Sequence, residues 1–229
     1  IKIVKKFLVA IDQGTTGSTV LLLDRDLRVR GRGYREFRQI LDGDCDGCTS
    51  DGWVEHDPSD IWGSVEGALA DALSGASVDV DRIAGIGITN QRETSLFWDR
   101  RTGRPAMNAI VWQCRRTADF CANLKAQGHE ELFRTRTGLV LDPYFSGTKI
   151  RWILDQNPDL RSRAESGELA AGTIDTWLLA RLTDGTVHAT DPTNASRTLL
   201  FHLTEASWDS WLLDILGVPQ NLLPEVHPS

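Results

Sequence analysis

Apolar residues fall in short runs whose spacing changes from segment to segment. Residues 7–11 (FLVAI) form one run and residues 20–23 (VLLL) a second. Gln13 to Ser18 supply turn residues between them, so the pair predicts a hairpin. Residues 28–37 alternate enough for a third strand, and their arginines place it at a sheet edge or facing solvent. Asp57-Pro58 is a helix start, Asp57 at the N-cap and Pro58 at N1, with Ile61, Val65, Ala68, Leu69 and Ala72 at helical spacing behind it. Residues 83–89, short and β-branched, read as an interior strand arriving after a helix, as parallel pairing requires.

Further on, residues 96–99 and 109–112 predict two strands around the turn Thr102-Gly103, followed by a helix from about 115 to 127. Residues 148–156 are helical until Pro158 stops them. Residues 169–173 predict a short strand, 175–182 a helix, and 208–216 a last helix closed by Gly217. Strands gathered early, then helices alternating with strands, predict an α/β protein with a mixed sheet covered by helices. Residues 42–52 (DGDCDGCTSDG) read as an exposed excursion. Its Cys45-x-x-Cys48 pair has no second such pair elsewhere to complete a zinc site.

Composition narrows the partners. A chain of 229 residues, 41% hydrophobic, has ample material for a buried core, and a net charge of -7 leaves no broad basic surface for nucleic acid or an anionic membrane. Lys2, Lys5 and Lys6 precede the first apolar run, but that run is too short for an export signal and Asp12 interrupts it. No segment is long enough to span a bilayer. The expected location is therefore the cytoplasm, with the four cysteines as free thiols. Cys114 and Cys121, seven apart on an expected helix, predict core packing on one face.

The chemistry collects at two places. At the hairpin tip Asp12 is a carboxylate at a strand end, Gly14 and Gly17 let backbone approach a ligand, and Thr15, Thr16 and Ser18 add hydroxyls. Such a tip suits a phosphate with a divalent cation, although a polar turn with a satisfied Asp has the same residues. No Gly-Lys-Ser/Thr follows, so it is not the common P-loop, and no helical period follows either, so it is not a dinucleotide turn. The second place is Asn90-Gln91-Arg92-Glu93, at a strand end where open α/β sheets gather functional groups.

Several longer blocks then carry a resemblance: DQGTTGS at 12–18, GWVEHDP at 52–58, GITNQRET at 87–94, NAIVWQCRRT at 108–117, DPYFSGTKIRWILD at 142–155 and TDPTNASRTLLF at 190–201. In order and over nearly the whole chain, they resemble the FGGY family of carbohydrate kinases, most closely its glycerol-phosphorylating members. The resemblance implies an actin-like, ribonuclease-H-like ATPase fold, with a mixed five-stranded sheet flanked by helices. Residues 1–229 would then be the N-terminal, polyol-binding domain, facing a C-terminal domain across an ATP cleft. It implies that Asp12 organises magnesium through water, that Gly14, Thr15, Thr16 and Gly17 belong to the first phosphate loop, and that Arg92, Glu93, Trp112 and Tyr144 line a glycerol pocket. A triol needs a donor fork, an acceptor and flat apolar walls, which is what those four residue types supply.

Two departures from the family pattern stand out. Gly17 and Thr19 replace the Ser and Arg common in that hairpin, and the chain stops before the Gly-Asp-Gln segment whose Asp is the family's general base. With no initiator Met, the chain reads as an excised first domain, inactive alone, whose uncovered surface invites self-association into a homo-oligomer. The rival readings are a kinase for another polyol or a ketose, and a non-catalytic binding module of the same fold.

Overall fold

The computed structural model describes residues 6–41 and 52–229, so the Cys45-x-x-Cys48 segment lies outside the described residues. In chain order come β1 (Phe7–Gln13), β2 (Gly17–Leu23), β3 (Val29–Glu36), β4 (Ile40–Leu41), β5 (Val54–His56), α1 (Pro58–Ala76) and β6 (Ile83–Asn90). There follow β7 (Leu96–Asp99), β8 (Ala109–Ile110), α2 (Ala118–Ala126), α3 (Glu130–Thr137), α4 (Ser146–Gln156), α5 (Pro158–Glu165), β9 (Leu169–Gly172) and α6 (Ile174–Leu182). Short pieces close the chain: β10 (Ala189–Thr190), α7 (Pro192–Ala195), β11 (Phe201–His202), β12 (Ser207–Trp208), α8 (Ser210–Leu216) and β13 (Glu225–Val226). No helix among the described residues is long and apolar enough to cross a membrane. The chain divides into two compact units, residues 1–39 with 57–91, and residues 40–56 with 92–229.

The first unit is a sheet of order β3-β2-β1-β6, antiparallel except for the parallel pair β1 and β6. Alternation buries Val9, Ile11, Val20 and Leu22, and α1 presents Ile61, Val65, Ala68 and Ala72. The Asp57 carboxylate accepts the Ser59 N–H at 2.7 Å, as the sequence predicts. Contact between α1 and β3 is unusually close. A Cβ on Gly31 would lie 2.0 Å from the Ala72 carbonyl oxygen, and one on Gly33 would lie 1.9 Å from that of Ala68. A buried hydroxyl pair, Ser18 to Ser64 at 2.7 Å, links β2 to the same helix.

Two expectations change here. Among the described residues the mixed sheet has four strands where five were expected, and Leu96–Asp99 pairs with Leu169–Gly172 in the second unit. β6 is consequently an edge strand, not an interior one, and Ile86 is 46% exposed.

The second unit surrounds a core that includes Phe97, Ile110, Phe133, Ile153, Leu169 and Leu212. The strands β7 and β8 exist as expected, but they form no ladder with each other among the described residues beyond the antiparallel bridge of Ser95, just before β7, to Ile110: β8 pairs antiparallel with β5, which also pairs with β4. α2 starts at Ala118, later than the pattern suggests, so Cys114 lies in the turn before it while Cys121 lies within it. Both are nonetheless buried free thiols, as core packing requires. Pro158 both ends α4 and occupies the first turn of α5. Gly217, at φ 57°, closes α8 as predicted.

Candidate polyol and phosphate sites

The first unit positions the hairpin tip. β1 and β2 run in register to Gln13 opposite Ser18, and the Gly14 N–H donates to the Gly17 carbonyl at 2.9 Å, closing the turn. Gly17 is required by packing, since a Cβ there would meet the Arg35 carbonyl oxygen at 2.7 Å. The Thr15 and Thr16 carbonyls are both occupied, accepting from the Gln39 amide at 3.0 Å and the Phe37 N–H at 3.4 Å. Below the tip, the Gln91 N–H donates to the Gln13 carbonyl at 2.7 Å and its side-chain amide to the Gln13 side chain at 3.2 Å, fastening the ends of β1 and β6.

Asp12 stands at this strand end, opposite Thr19 and Thr89, exposed, and its carboxylate has no hydrogen bond or ion pair among the described residues. A carboxylate in that state is free to face a hydrated cation. Magnesium fits such a site, because it is held by one or two carboxylates with waters and substrate phosphates and needs no all-protein cage. No cluster of three or more metal-ligating side chains occurs among the described residues.

The second unit brings the polyol candidates together. Glu93 is 3% exposed and sits at φ 65°, a left-handed backbone that a residue with a side chain adopts only at a cost. Its carbonyl accepts from the hydroxyls of Ser95 and Ser146, each at 3.1 Å, which fixes that unusual conformation. Its carboxylate pairs not with the neighbouring Arg92 but with Arg197, whose Nε donates at 2.6 Å. The same guanidinium lies 5.7 Å from the Tyr144 ring and 4.9 Å from that of Phe145. Tyr144 in turn meets Trp112 with ring centroids 5.3 Å apart and planes inclined by 57°. Glu93, Arg197, Tyr144 and Trp112 are thus one contiguous constellation.

Arg92 remains exposed, its guanidinium has no hydrogen bond or ion pair among the described residues, and its five N–H donors are available to a ligand. Asp142 supports the tyrosine, its carboxylate accepting the Tyr144 N–H at 2.9 Å. Sequence reasoning missed Arg197, although it lies in the quoted TDPTNASRTLLF block; nothing in its spacing ties it to a glutamate 104 positions earlier. It also missed the buried Arg116, which pairs with Glu55 at 2.7 Å and lies 3.9 and 4.7 Å from the rings of Trp53 and Trp152.

Comparison with known proteins adds to this geometry. Glycerol kinase of Shewanella oneidensis is 55% identical over 225 residues, which is 98% of this chain and 44% of that protein. A glycerol kinase from another Shewanella strain is 54% identical over the same span. Among solved structures, Plasmodium falciparum glycerol kinase with ADP superposes with a TM-score of 0.86 at 33% identity, covering 96% of this chain and 42% of that one. Gluconate kinase from Lactobacillus acidophilus, at 23% identity and a TM-score of 0.83, shares the fold. The chain spans less than half the length of these relatives. The actin-like ATPase fold expected from the resemblance is the fold of these neighbours. The model of the FGGY family of carbohydrate kinases, N-terminal domain, matches residues 7–229, and the chain belongs to that family.

Proposed function

We propose that this chain is the first domain of an ATP-dependent kinase that transfers a phosphoryl group to a primary hydroxyl of glycerol. The observation that carries the reading is the constellation in which the buried Glu93–Arg197 pair adjoins the Trp112 and Tyr144 rings, with Arg92 free beside it in sequence. Arg92 supplies donors to the polyol hydroxyls, the Glu93 carboxylate accepts from them, and the two rings exclude water along the carbon backbone. At the hairpin, Gly14 and Gly17 let the backbone come close to phosphate, the hydroxyls of Thr15 and Thr16 would donate to it, and Asp12 would hold magnesium. ATP with magnesium supplies the phosphoryl group and neutralises charge that develops on it. A second domain, for which the longer relatives leave room, supplies the general base in this reading, and the protein acts in the cytoplasm.

The test is kinetic, on the full-length kinase. Removing one partner of a buried charged hydrogen bond costs about 2 to 5 kcal/mol, so Glu93→Ala should lower kcat/KM for glycerol by about 30-fold or more. Arg92→Ala should act in the same direction, and the KM for ATP should stay close to wild type in both. Wild-type glycerol kinetics in both variants would overturn the proposal. Full activity on a ketose and none on glycerol would replace it with the rival substrate.

A further inference from the structure

Lys149 on α4 is fully buried, yet nothing in the polyol reading uses it. Its ammonium reaches back along the chain and donates to three consecutive carbonyls, those of Pro143 at 2.6 Å, Tyr144 at 2.5 Å and Phe145 at 3.2 Å. An ammonium has three N–H donors, so its capacity is matched by the three acceptors. The segment it grips carries Tyr144, and the Tyr144 ring meets Trp112 at 5.3 Å. On either side the backbone is tied as well, by the Asp142 carboxylate to the Tyr144 N–H and by the Ser146 hydroxyl to the Glu93 carbonyl.

We propose that Lys149 is a positioning residue of the polyol pocket, whose buried ammonium clamps residues 143–145 and thereby holds the Tyr144 ring against Trp112. The assignment rests on the polyol reading for its effect on substrate, but not for the clamp itself. A neutral amine has two N–H donors and a lone pair, so on deprotonation one carbonyl would face a lone pair and the grip would loosen. Burial pushes the Lys149 ammonium down to about 7; the Glu93 and Asp142 carboxylates oppose that fall, and the Cys114 and Cys121 thiols also lie near. Burial raises the Cys121 thiol to about 11, so it stays neutral while Lys149 titrates. Glu93 is further matched by Arg197. The clamp is therefore closed on the acid side of neutrality and opens as pH rises through about 7.

The indole N–H resonance of Trp112, identified with Trp112→Phe, reports the contact in this chain without any activity assay. Followed from pH 5.5 to 9, it should shift with a midpoint near 7 in the wild type and show no such step in Lys149→Met. In the full-length kinase, Lys149→Met should raise the KM for glycerol by about 10²-fold, the scale of a small misplacement of a positioning group, with the KM for ATP within about twofold. A wild-type indole that does not titrate, or one that titrates identically in Lys149→Met, overturns the clamp. If Lys149→Met does not fold, the side-chain resonances of Lys149 in the wild type decide, and ammonium protons that exchange as fast as those of a solvent-exposed lysine overturn the clamp. Should the indole titrate as expected while glycerol proves not to be a substrate, the clamp stands and the polyol reading falls. Should Arg92→Ala impair glycerol use while the indole is silent, the polyol reading stands and the clamp falls.

Discussion

Replacing Arg197 with methionine probes the charge pair at the heart of the second unit. Methionine keeps much of the volume but removes the guanidinium that donates to Glu93 at 2.6 Å. The Glu93 carboxylate, with its side chain 3% exposed, is then left in a low dielectric without a cation. Breaking a fully sealed pair in this way costs about 3 to 5 kcal/mol. The Arg197 side chain is 29% exposed, so water reaches the vacated place and the figure falls to about 2 to 3 kcal/mol. Loss of the guanidinium from above the Tyr144 and Phe145 rings adds about 0.5 to 1 kcal/mol. For a chain of this size the total corresponds to a Tm lower by roughly 5 to 15 °C. Calorimetry on Arg197→Met, Glu93→Gln and the double variant checks the reasoning. Because the double variant leaves no orphan charge, it should be more stable than the two single losses summed. A Tm within 2 °C of wild type for Arg197→Met, or simple additivity of the two changes, would refute the account.

Two further outcomes follow from packing and from buried histidines. Gly33→Ala places a methyl 1.9 Å from the Ala68 carbonyl oxygen and should cost about 3 kcal/mol in a urea titration. Gly63→Ala on the neighbouring helix meets nothing within 4 Å and should instead gain about 0.5 to 1 kcal/mol; equal effects would show that close packing does not set the cost. Burial lowers both His56 and His188 to about 4, so the unfolded chain binds protons more readily than the folded one between pH 6.5 and 4. Stability is therefore full above pH 6.5 and falls as pH drops towards 4, by on the order of 3 kcal/mol per histidine at most. His56→Gln should flatten that acid limb, and an unchanged limb would count against the burial argument.

The first unit was legible because its signals are local. The hairpin, the Asp57-Pro58 start and the edge position of the arginine-rich strand all depend on neighbours within a few residues. β6 misled because an unbroken apolar run reads as covered on both sides, whereas Ile86 lies open. In the second unit the pairing of β7 with β9 joins segments some 70 residues apart, a separation that periodicity does not address. α3 and α5 carried almost no apolar stripe to detect: only Phe133 and Thr137 of the first, and Ala164 of the second, are buried. The candidate residues themselves stood out by type and motif, but the left-handed backbone at Glu93 and its bond to Arg197 are tertiary facts.

The glycine pair on β3 also bears on the thermodynamics of ligand capture. Where Gly31 and Gly33 meet Ala72 and Ala68, main chain rests on main chain with no flexible side chain between to act as a cushion. Such a joint has few alternative arrangements, and weak Cα–H···O contacts favour the one it has. β3 is hydrogen-bonded along its length to β2, which forms one arm of the hairpin, and the stiffness of the joint is passed to the loop at the tip. A loop already fixed loses little conformational entropy when it closes on an anion, so more of the contact energy appears as affinity. In the proposed reading, two residues with no side chain, 14 positions or more beyond Gly17 in sequence, would in this way set how tightly phosphate is held.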